Sequence, residues 1–556
     1  MTKKKFLVKV WQKTLTKWTL LITSLIILFI FIYQLNIKPS KIGLKLFWVN
    51  LKNLFEFRSN SPDFINENLW ILNLKYMWIT IKSVFSGTFV GLFLAFITAY
   101  FSSLNLWRKN WWTWIVRIAI ILLRSMPILV PIMIFGSSYQ KDMIAFMIFW
   151  YTTWLWLHRY FCDIFESSNT KKFWQDINLG MPRYKSFYIN IVLSNKNKFI
   201  MNSLLAIESN IRWNSILGSV GIYGIGFVFN FFKEKIEYLG ISILFVVILV
   251  GFFEGILILF NKFLFVSPKI KNPSEKTPYS LAYNYKKILK YLIFAVFFAI
   301  IITSFVDLSQ TKVNMEFLKL WFNNLFIFDF SEVAIDPNIY NSYWSIFKQT
   351  YIAIYLAFLL AILYAILMSE KLFKPIQTYF FKLFIVLLKS IPVLIFFILF
   401  NSIFYFETAI ILAVIIIAFR AMSKQFSEVI NRIDESKIKH WRKLGYSRWF
   451  IYKNILLPMY KKAIISLLLF ESEGTYRNFI TYGVFSNIII YTYISRYEEK
   501  QEFGKIIPAF LPAFFIYILL ELLFLLYKTF LLHKLWKWLC ELVINIYKKL
   551  CKTFKK

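Results

Sequence analysis

The chain has 556 residues, 59% of them hydrophobic and 21% aromatic, with a mean hydropathy of +0.59, well outside the range of soluble domains. Its formal net charge of +36 comes from 65 Lys+Arg against 29 Asp+Glu; the basic residues crowd next to apolar runs, as they do in cytoplasmic loops of membrane proteins, so the charge reports topology and not nucleic-acid binding. A soluble enzyme and a nucleic-acid partner are excluded together, and an all-α, polytopic helical membrane protein is expected.

Apolar runs of the length that crosses a bilayer begin at 18–36, where Lys3, Lys4, Lys5, Lys9 and Lys13 precede the first of them. No small-residue cleavage site follows that run, and the first alanine of the chain is Ala95, so it reads as an uncleaved anchor. Next comes an external stretch, GLKLFWVNLKNLFEF (43–57), whose aromatic and Leu content suits a helix lying in the interface. The same loop carries Lys38, Lys41, Lys45, Lys52 and Arg58. Runs at 77–101, 112–136, 142–158, 198–226 and 240–265 complete a first set of six.

After a Pro- and Lys-bearing segment at 266–287, six more runs lie at 288–305, 343–368, 378–400, 407–421, 461–490 and 506–530, giving about twelve spans. The second set repeats the first. LLRSMPILVPIMIFG (122–136) aligns with LLKSIPVLIFFILFN (387–401), a shift of 265 residues that carries Arg124 onto Lys389 and Pro127 onto Pro392. Leu179-Gly180 falls on Leu444-Gly445 and Arg183 on Arg448 at the same shift, and Glu208-Ser209 finds Glu471-Ser472. The chain therefore divides into a first repeat (1–265), a cytoplasmic linker (266–287), a second repeat (288–530) and a basic tail (531–556), with two parallel six-helix halves related by an axis along the membrane normal. Basic residues at both ends, including Lys548, Lys549, Lys555 and Lys556, place both termini in the cytoplasm. Cys162, Cys540 and Cys551 have neither metal-ligand spacing nor disulfide logic.

Two features in each half carry function. The first is a basic loop, 171–195 and 437–458, that reads as a short helix, a Gly-centred turn with a basic residue three positions on, and a second helix returning to the membrane. The second is ESNIRWNSILGSVGIYGIG (208–226), where Glu208 and Arg212 share a helix face and four glycines follow. An ionisable residue at a membrane-helix centre costs about 2.5–3.5 kcal/mol unless it faces a cavity, partner or water path. Glu208, Asn210, Arg212, Gly218 and Gly221, with Glu471, Arg477, Arg124 and Lys389, are therefore the candidate lining of a pathway. In the second half Arg477 stands in for Arg212.

These stretches resemble known permeases. The Leu-Gly…Arg loop, with Gly180, Arg183, Gly445, Arg448 and Pro458, is similar to the ATPase-coupling loop of ABC-importer permeases, although Trp174-Gln175-Asp176 and Lys439-His440-Trp441 replace the usual Glu-Ala-Ala. Glu208-Ser209-Asn210-Ile211-Arg212 followed by Leu217-Gly218, Val220-Gly221 and Gly224-Ile225-Gly226 resembles the signature of the phosphonate-type permeases, as does Arg124-Ser125-Met126-Pro127. The duplicated form is like the permease of the mycoplasmal high-affinity transport system. The resemblance implies the type I importer fold, a bacterial plasma-membrane location, two cytoplasmic ABC ATPase subunits that bind the ATP, an extracytoplasmic substrate-binding (lipo)protein, and a phosphonate, phosphate or phosphorylated small molecule such as thiamine phosphate as cargo. No Gly-x-x-x-x-Gly-Lys-Ser/Thr loop occurs in the chain itself, and no catalytic, cofactor or metal constellation is expected. An ion-coupled secondary transporter is the alternative, since such carriers also use intramembrane Glu and Arg.

Overall fold

The computed structural model describes most of residues 18–528; residues 1–17, 20, 36, 38, 62, 64–66, 110, 219–220, 266–280, 326, 334, 487 and 529–556 lie outside the described residues. The two terminal lysine clusters, Lys38, Cys540, Cys551, Val220, the tail and most of the linker fall there. Among the described residues the elements are helices, and one isolated bridge joins Tyr139 to Val313.

The first half comprises α1 (Leu21–Tyr33), α2 (Lys41–Asn53), α3 (Leu69–Ser102), α4 (Trp111–Ser125), α5 (Leu129–Ser138), α6 (Lys141–Ser167), α7 (Lys171–Asn178), α8 (Arg183–Phe187), α9 (Ser194–Leu217), α10 (Ile225–Phe231) and α11 (Leu239–Leu259). The second repeats the order with α12 (Leu281–Ser309), α13 (Met315–Leu325), α14 (Pro337–Leu367), α15 (Pro375–Ser390), α16 (Val393–Asn401), α17 (Phe406–Ile430), α18 (Glu435–Lys443), α19 (Arg448–Phe450), α20 (Leu457–Ser486), α21 (Ile489–Glu499) and α22 (Ile506–Lys528). In each half the long helix after the interfacial one packs along the fourth span, α3 on α6 and α14 on α17.

Six described helices are long and apolar enough to cross a membrane, or up to eight spans if each of two bent pairs counts as one; the count of about twelve is not reached. The reason is physical. The runs at 112–136 and 378–400 do not go straight through: α4 and α5 meet at 75°, α15 and α16 at 80°. Helices α6, α9 and α20, at 27, 24 and 30 residues, have the length but carry charged groups where an isolated span would be apolar.

Pro127 and Pro392 sit at the two breaks, where a missing N–H and a ring clash stop the helix. The carbonyls freed there find side-chain donors. Tyr151 Oη donates to Leu123 O at 2.9 Å and Arg477 to Arg124 O in the first half; buried Arg420 donates to Leu388 O and, at 3.0 Å, to Ile391 O in the second. The breaks thus set Arg124 and Lys389 at the inner ends of α4 and α15.

The halves are interlocked by exchanged elements. Tyr351 Oη of α14 donates to Ser24 O of α1 at 3.0 Å, and Phe31 meets Trp344 and Tyr351 edge-on. Reciprocally, Ser304 of α12 lies 2.9 Å from Ser86 of α3, and Asp307 pairs with Lys82. At the starts of α2 and α13, Ser40 N–H donates to Ile403 O at 3.0 Å and Asn314 N–H to Ser138 O at 2.8 Å. Each half therefore holds the opening helices of the other. Exposed Leu44, Trp48 and Val49 on α2, and Met315 and Phe322 on α13, give these helices the apolar outer face of an interfacial element.

Candidate functional site

Helices α9 and α20 face each other across the seam between the halves, and each carries a Glu–Arg pair four residues apart. Arg212 Nε lies 2.9 Å from Glu208 Oε1, and Arg477 Nη2 lies 2.9 Å from Glu473 Oε1. Glu473 and Arg477 stand 265 positions beyond Glu208 and Arg212, the same shift that relates Arg124 to Lys389.

Around each pair the opposite half closes a cluster. In the first, Lys389 Nζ reaches Glu208 Oε2 at 2.8 Å and Glu254 Oε2 at 3.3 Å, while Lys424 Nζ reaches Glu254 Oε1 at 2.9 Å. In the second, Arg124 Nη2 reaches Glu473 Oε1 at 2.7 Å and Glu521 Oε2 at 2.5 Å, and Arg159 Nη1 lies 3.5 Å from both carboxylates. Every member has its register mate or near-mate in the other cluster. Each cluster sets two carboxylates against three cations, with both carboxylates from one half and two cations from the other. Glu208 and Glu473 are buried, and buried charges persist only where partners and hydrogen bonds compensate their lost hydration. The clusters therefore tie the halves together in a geometry-dependent way.

Two cavities flank this seam. One of about 690 Å³ is lined by Glu208, Arg212, Lys389, Lys424, Glu428 and Arg432 among others. The second, of about 400 Å³, is lined by Arg124, Pro127, Asn210, Glu471, Glu473 and Arg477 among others.

The candidate pathway residues do not all come together. Glu208, Arg212 and Lys389 come together in one cluster, Arg124 and Arg477 in the other. Glu471 is not the partner of Arg477; it accepts a 2.5 Å hydrogen bond from Gln425 Nε2 on the wall of the smaller cavity. Gly218 and Gly221 lie at and beyond the end of the helix. Helix α9 ends at Leu217, and the chain turns back on itself, so that a Cβ on Gly218 would fall 1.8 Å from Gly226 C. Gly221 and Gly224 have φ of +80° and +146°, conformations that favour glycine. Asn210 is a cross-brace: its Nδ2 donates to Thr88 Oγ1 at 2.8 Å and Thr153 Oγ1 at 2.7 Å, joining α9 to α3 and α6.

Sequence reasoning missed Glu254, Arg159, Lys424, Glu473 and Glu521. The 265-residue shift held without slippage would have found Glu473, and a lone carboxylate inside the apolar runs of α11 and α22 would have flagged Glu254 and Glu521.

At one end of the bundle each half presents its turn loop. Gly180 and Gly445 have φ of +90° and +83°, and both loops close with the same pattern: Met181 N–H donates to Asp176 O at 2.9 Å, Tyr446 N–H to Trp441 O at 3.3 Å. The two arginines hold the loops in place. Arg183 donates to Leu106 O at 2.6 Å with its guanidinium 3.8 Å from the Trp107 ring centroid, and Arg448 lies 4.9 Å over Phe373. Apolar side chains stand outward among the lysines and arginines: Leu179 and Tyr184 in the first loop, beside Lys172 and Lys185, and Leu444, Tyr446 and Trp449 in the second, beside Arg442 and Lys443, all exposed. In the second loop Lys439 hydrogen-bonds Glu435 and holds its carboxyl below the usual range. Each loop then runs through a π-helical turn, Tyr188–Leu193 or Ile451–Leu456, directly into α9 or α20; exposed Pro458 is the second residue of α20.

Residues 357–537 match the family described as binding-protein-dependent transport system inner membrane component. The chain is 26% identical over 480 residues to the ABC transport system permease protein p69 of Mycoplasma pneumoniae, covering 84% of this chain and 86% of that protein. It is 25% identical over 494 residues to the protein of the same name in Mycoplasma genitalium, covering 87% and 89%. No solved structure matches the chain. The second half thus resembles the membrane component of binding-protein-dependent transporters, the two relatives that match most of the chain are named as ABC transport system permeases, and six to eight spans among the described residues are long and apolar enough to cross a membrane.

Proposed function

We propose that the chain supplies both transmembrane halves of an ATP-driven importer, with one ATPase subunit docked on each turn loop and a substrate-binding (lipo)protein delivering cargo at the opposite end. In this reading the turn loops, and with them both termini, are cytoplasmic. The observation that carries it is a continuous mechanical line in each half. An exposed apolar loop tip leads through a π-helical turn into the helix whose Glu–Arg pair is held by the other half's cations. Movement of a loop by an ATPase displaces α9 or α20 along the seam and exchanges one set of inter-half ion pairs for another, rocking the halves between two states. An ion-driven carrier has no use for a pair of such loops.

The cargo in this reading is an anionic phosphorus compound: a phosphonate, phosphate or phosphorylated small molecule. Its support is the resemblance of residues 208–226 and the cation excess along both cavities, where guanidinium and ammonium groups suit phosphate oxygens. Selection rests mainly with the binding protein, because a delivered solute needs no tight membrane site.

The test is ATP-driven uptake by the complex reconstituted in vesicles with its ATPase and binding protein. Competition by methylphosphonate or a phosphorylated small molecule, and none by neutral sugars or amino acids, is expected. Competition by the neutral solutes alone overturns the cargo class; uptake driven by an ion gradient without ATP overturns the importer.

A further inference from the structure

The two cavities adjoin at a shared layer of side chains. Six residues line both: Trp156, Arg159 and Tyr160 of α6, Ser209 of α9, Gln425 of α17 and Phe470 of α20. Four belong to the first half and two to the second, so the partition is built across the seam and not within one half. Trp156, Arg159 and Tyr160 are spaced to share one face of α6. The Arg159 guanidinium lies 4.8 Å from the Phe470 ring centroid, and the Tyr160 ring meets Phe470 edge-on at 6.3 Å. Gln425 is fixed by its 2.5 Å bond to Glu471.

Two properties of this layer bear on passage. It is tethered to the second charge cluster, because Arg159 also stands 3.5 Å from Glu473 and from Glu521, the longest contacts in that cluster. Relative motion of the halves breaks those contacts before the shorter ones of Arg124 and withdraws the cation that lies over Phe470. The layer also contains one cation and no carboxylate; Glu471 lines only the smaller cavity beyond it. The duplication repeats the cation but not the plug. The positions 265 residues away from Arg159, Tyr160 and Phe470 hold Lys424, Gln425 and Leu205.

We propose that this layer is the gate of the passage, with Phe470 as the side chain that closes it and Arg159 as the group that admits anions and turns cations back. The proposal rests on the permease reading above and adds where the passage is interrupted and which charge class crosses there. Each cavity has room for a small solute, so only side-chain displacement separates them. An anion arriving at the layer offers Arg159 a replacement for Glu473 and Glu521, whereas a cation meets the guanidinium first, the carboxylates behind it being held by Arg124, Arg477 and Gln425.

The experiment uses the full chain alone in vesicles, without ATPase or ATP, and measures passive release of methylphosphonate and of choline. Phe470→Ala is expected to raise methylphosphonate release about tenfold over wild type, a modest reduction in barrier, with choline release rising much less. Arg159→Gln added to Phe470→Ala should erase the preference, and Arg159→Lys in its place should keep it. Phe515→Ala, an exposed aromatic on α22, is the control and should not leak. Should Phe470→Ala misfold, Phe470→Leu, which copies the register mate Leu205, takes its place with a smaller leak. Wild-type release from a folded Phe470 variant overturns the gate, and equal release of both probes overturns the selection. Because no ATP is involved, failure of ATP-driven uptake strikes the importer reading and leaves this measurement untouched.

Discussion

The two charge clusters occupy equivalent places and are built from different chemistry. Where Glu208 and Glu254 meet Lys389 and Lys424, the cations are compact point charges; where Glu473 and Glu521 meet Arg124 and Arg159, they are forked guanidinium groups. The lysine cluster borders the larger cavity, the arginine cluster the smaller. Duplication has thus kept a cation at the paired positions 124 and 389, and 159 and 424, while changing its geometry. A lysine can exchange carboxylates by a small rotation, whereas a guanidinium holding two carboxylates has to give up directional hydrogen bonds. The seam is a stiffer joint on the arginine side and a looser one on the lysine side.

The largest effect should come from removing a shared carboxylate. Glu473→Gln leaves Arg124, Arg159 and Arg477 around one remaining acidic partner, and breaking a buried ion network of this kind costs about 3–5 kcal/mol. Denaturant unfolding of the purified chain should register the loss, and Glu208→Gln should lose less. Equal losses would mean that the two sides are the same joint. Double-mutant cycles sharpen the comparison: the coupling of Arg124 to Glu473 should exceed that of Lys389 to Glu208 by about 1 kcal/mol, within the span seen for interacting neighbours. Exchanging the cations, Arg124→Lys with Lys389→Arg, should reverse the order.

Intermediate effects belong to the loops. Gly180→Val or Gly445→Val forces a β-branched residue into a left-handed conformation at a cost of about 1–2 kcal/mol. Neither site has a neighbour within 4 Å of an added Cβ, so the strain is local. Membrane insertion should persist while ATPase recovery in a pull-down falls; undiminished recovery with both variants would remove the loops from the docking surface. The smallest effect is expected at Glu471→Gln, because Gln425 can bond to an amide as it does to the carboxylate. Its unfolding free energy should change by under about 1 kcal/mol, as for a hydrogen bond whose partner is kept, in contrast to Glu473→Gln two residues away.

That contrast also shows where the sequence was legible. The helical class, the repeated order of elements and the Glu208–Arg212 pair could be read from residue types and spacing, whereas the runs at 112–136 and 378–400 read as single spans and are broken next to Pro127 and Pro392. The second-half pair was obscured, because the dipeptide Glu471-Ser472 copies Glu208-Ser209 by letter while Glu473 copies Glu208 by position. Helix geometry follows position: only Glu473 lies four residues from Arg477. Proline accounts for where α4 and α15 stop, but the run of apolar residues on either side of it hides the bend. The glycines after Leu217 are compatible with a packing face or a turn, and the close approach of Gly218 to Gly226 decides between them.

The exchange of α1 and α12 between halves has a consequence for how the protein is made. Helix α1 emerges from the ribosome first, yet its bond to α14 joins Ser24 to Tyr351, 327 residues later in the chain. At translation rates of about 5–20 residues per second, the wait is on the order of tens of seconds. During that interval α1 lacks the α14 contacts of the finished fold, while α12, when it arrives, finds α3 already in the bilayer. The N-terminal half therefore cannot finish folding on its own schedule. A pause in synthesis before α14 would strand a partly assembled chain whose first helix still waits for its α14 partner, a state open to capture by membrane quality control.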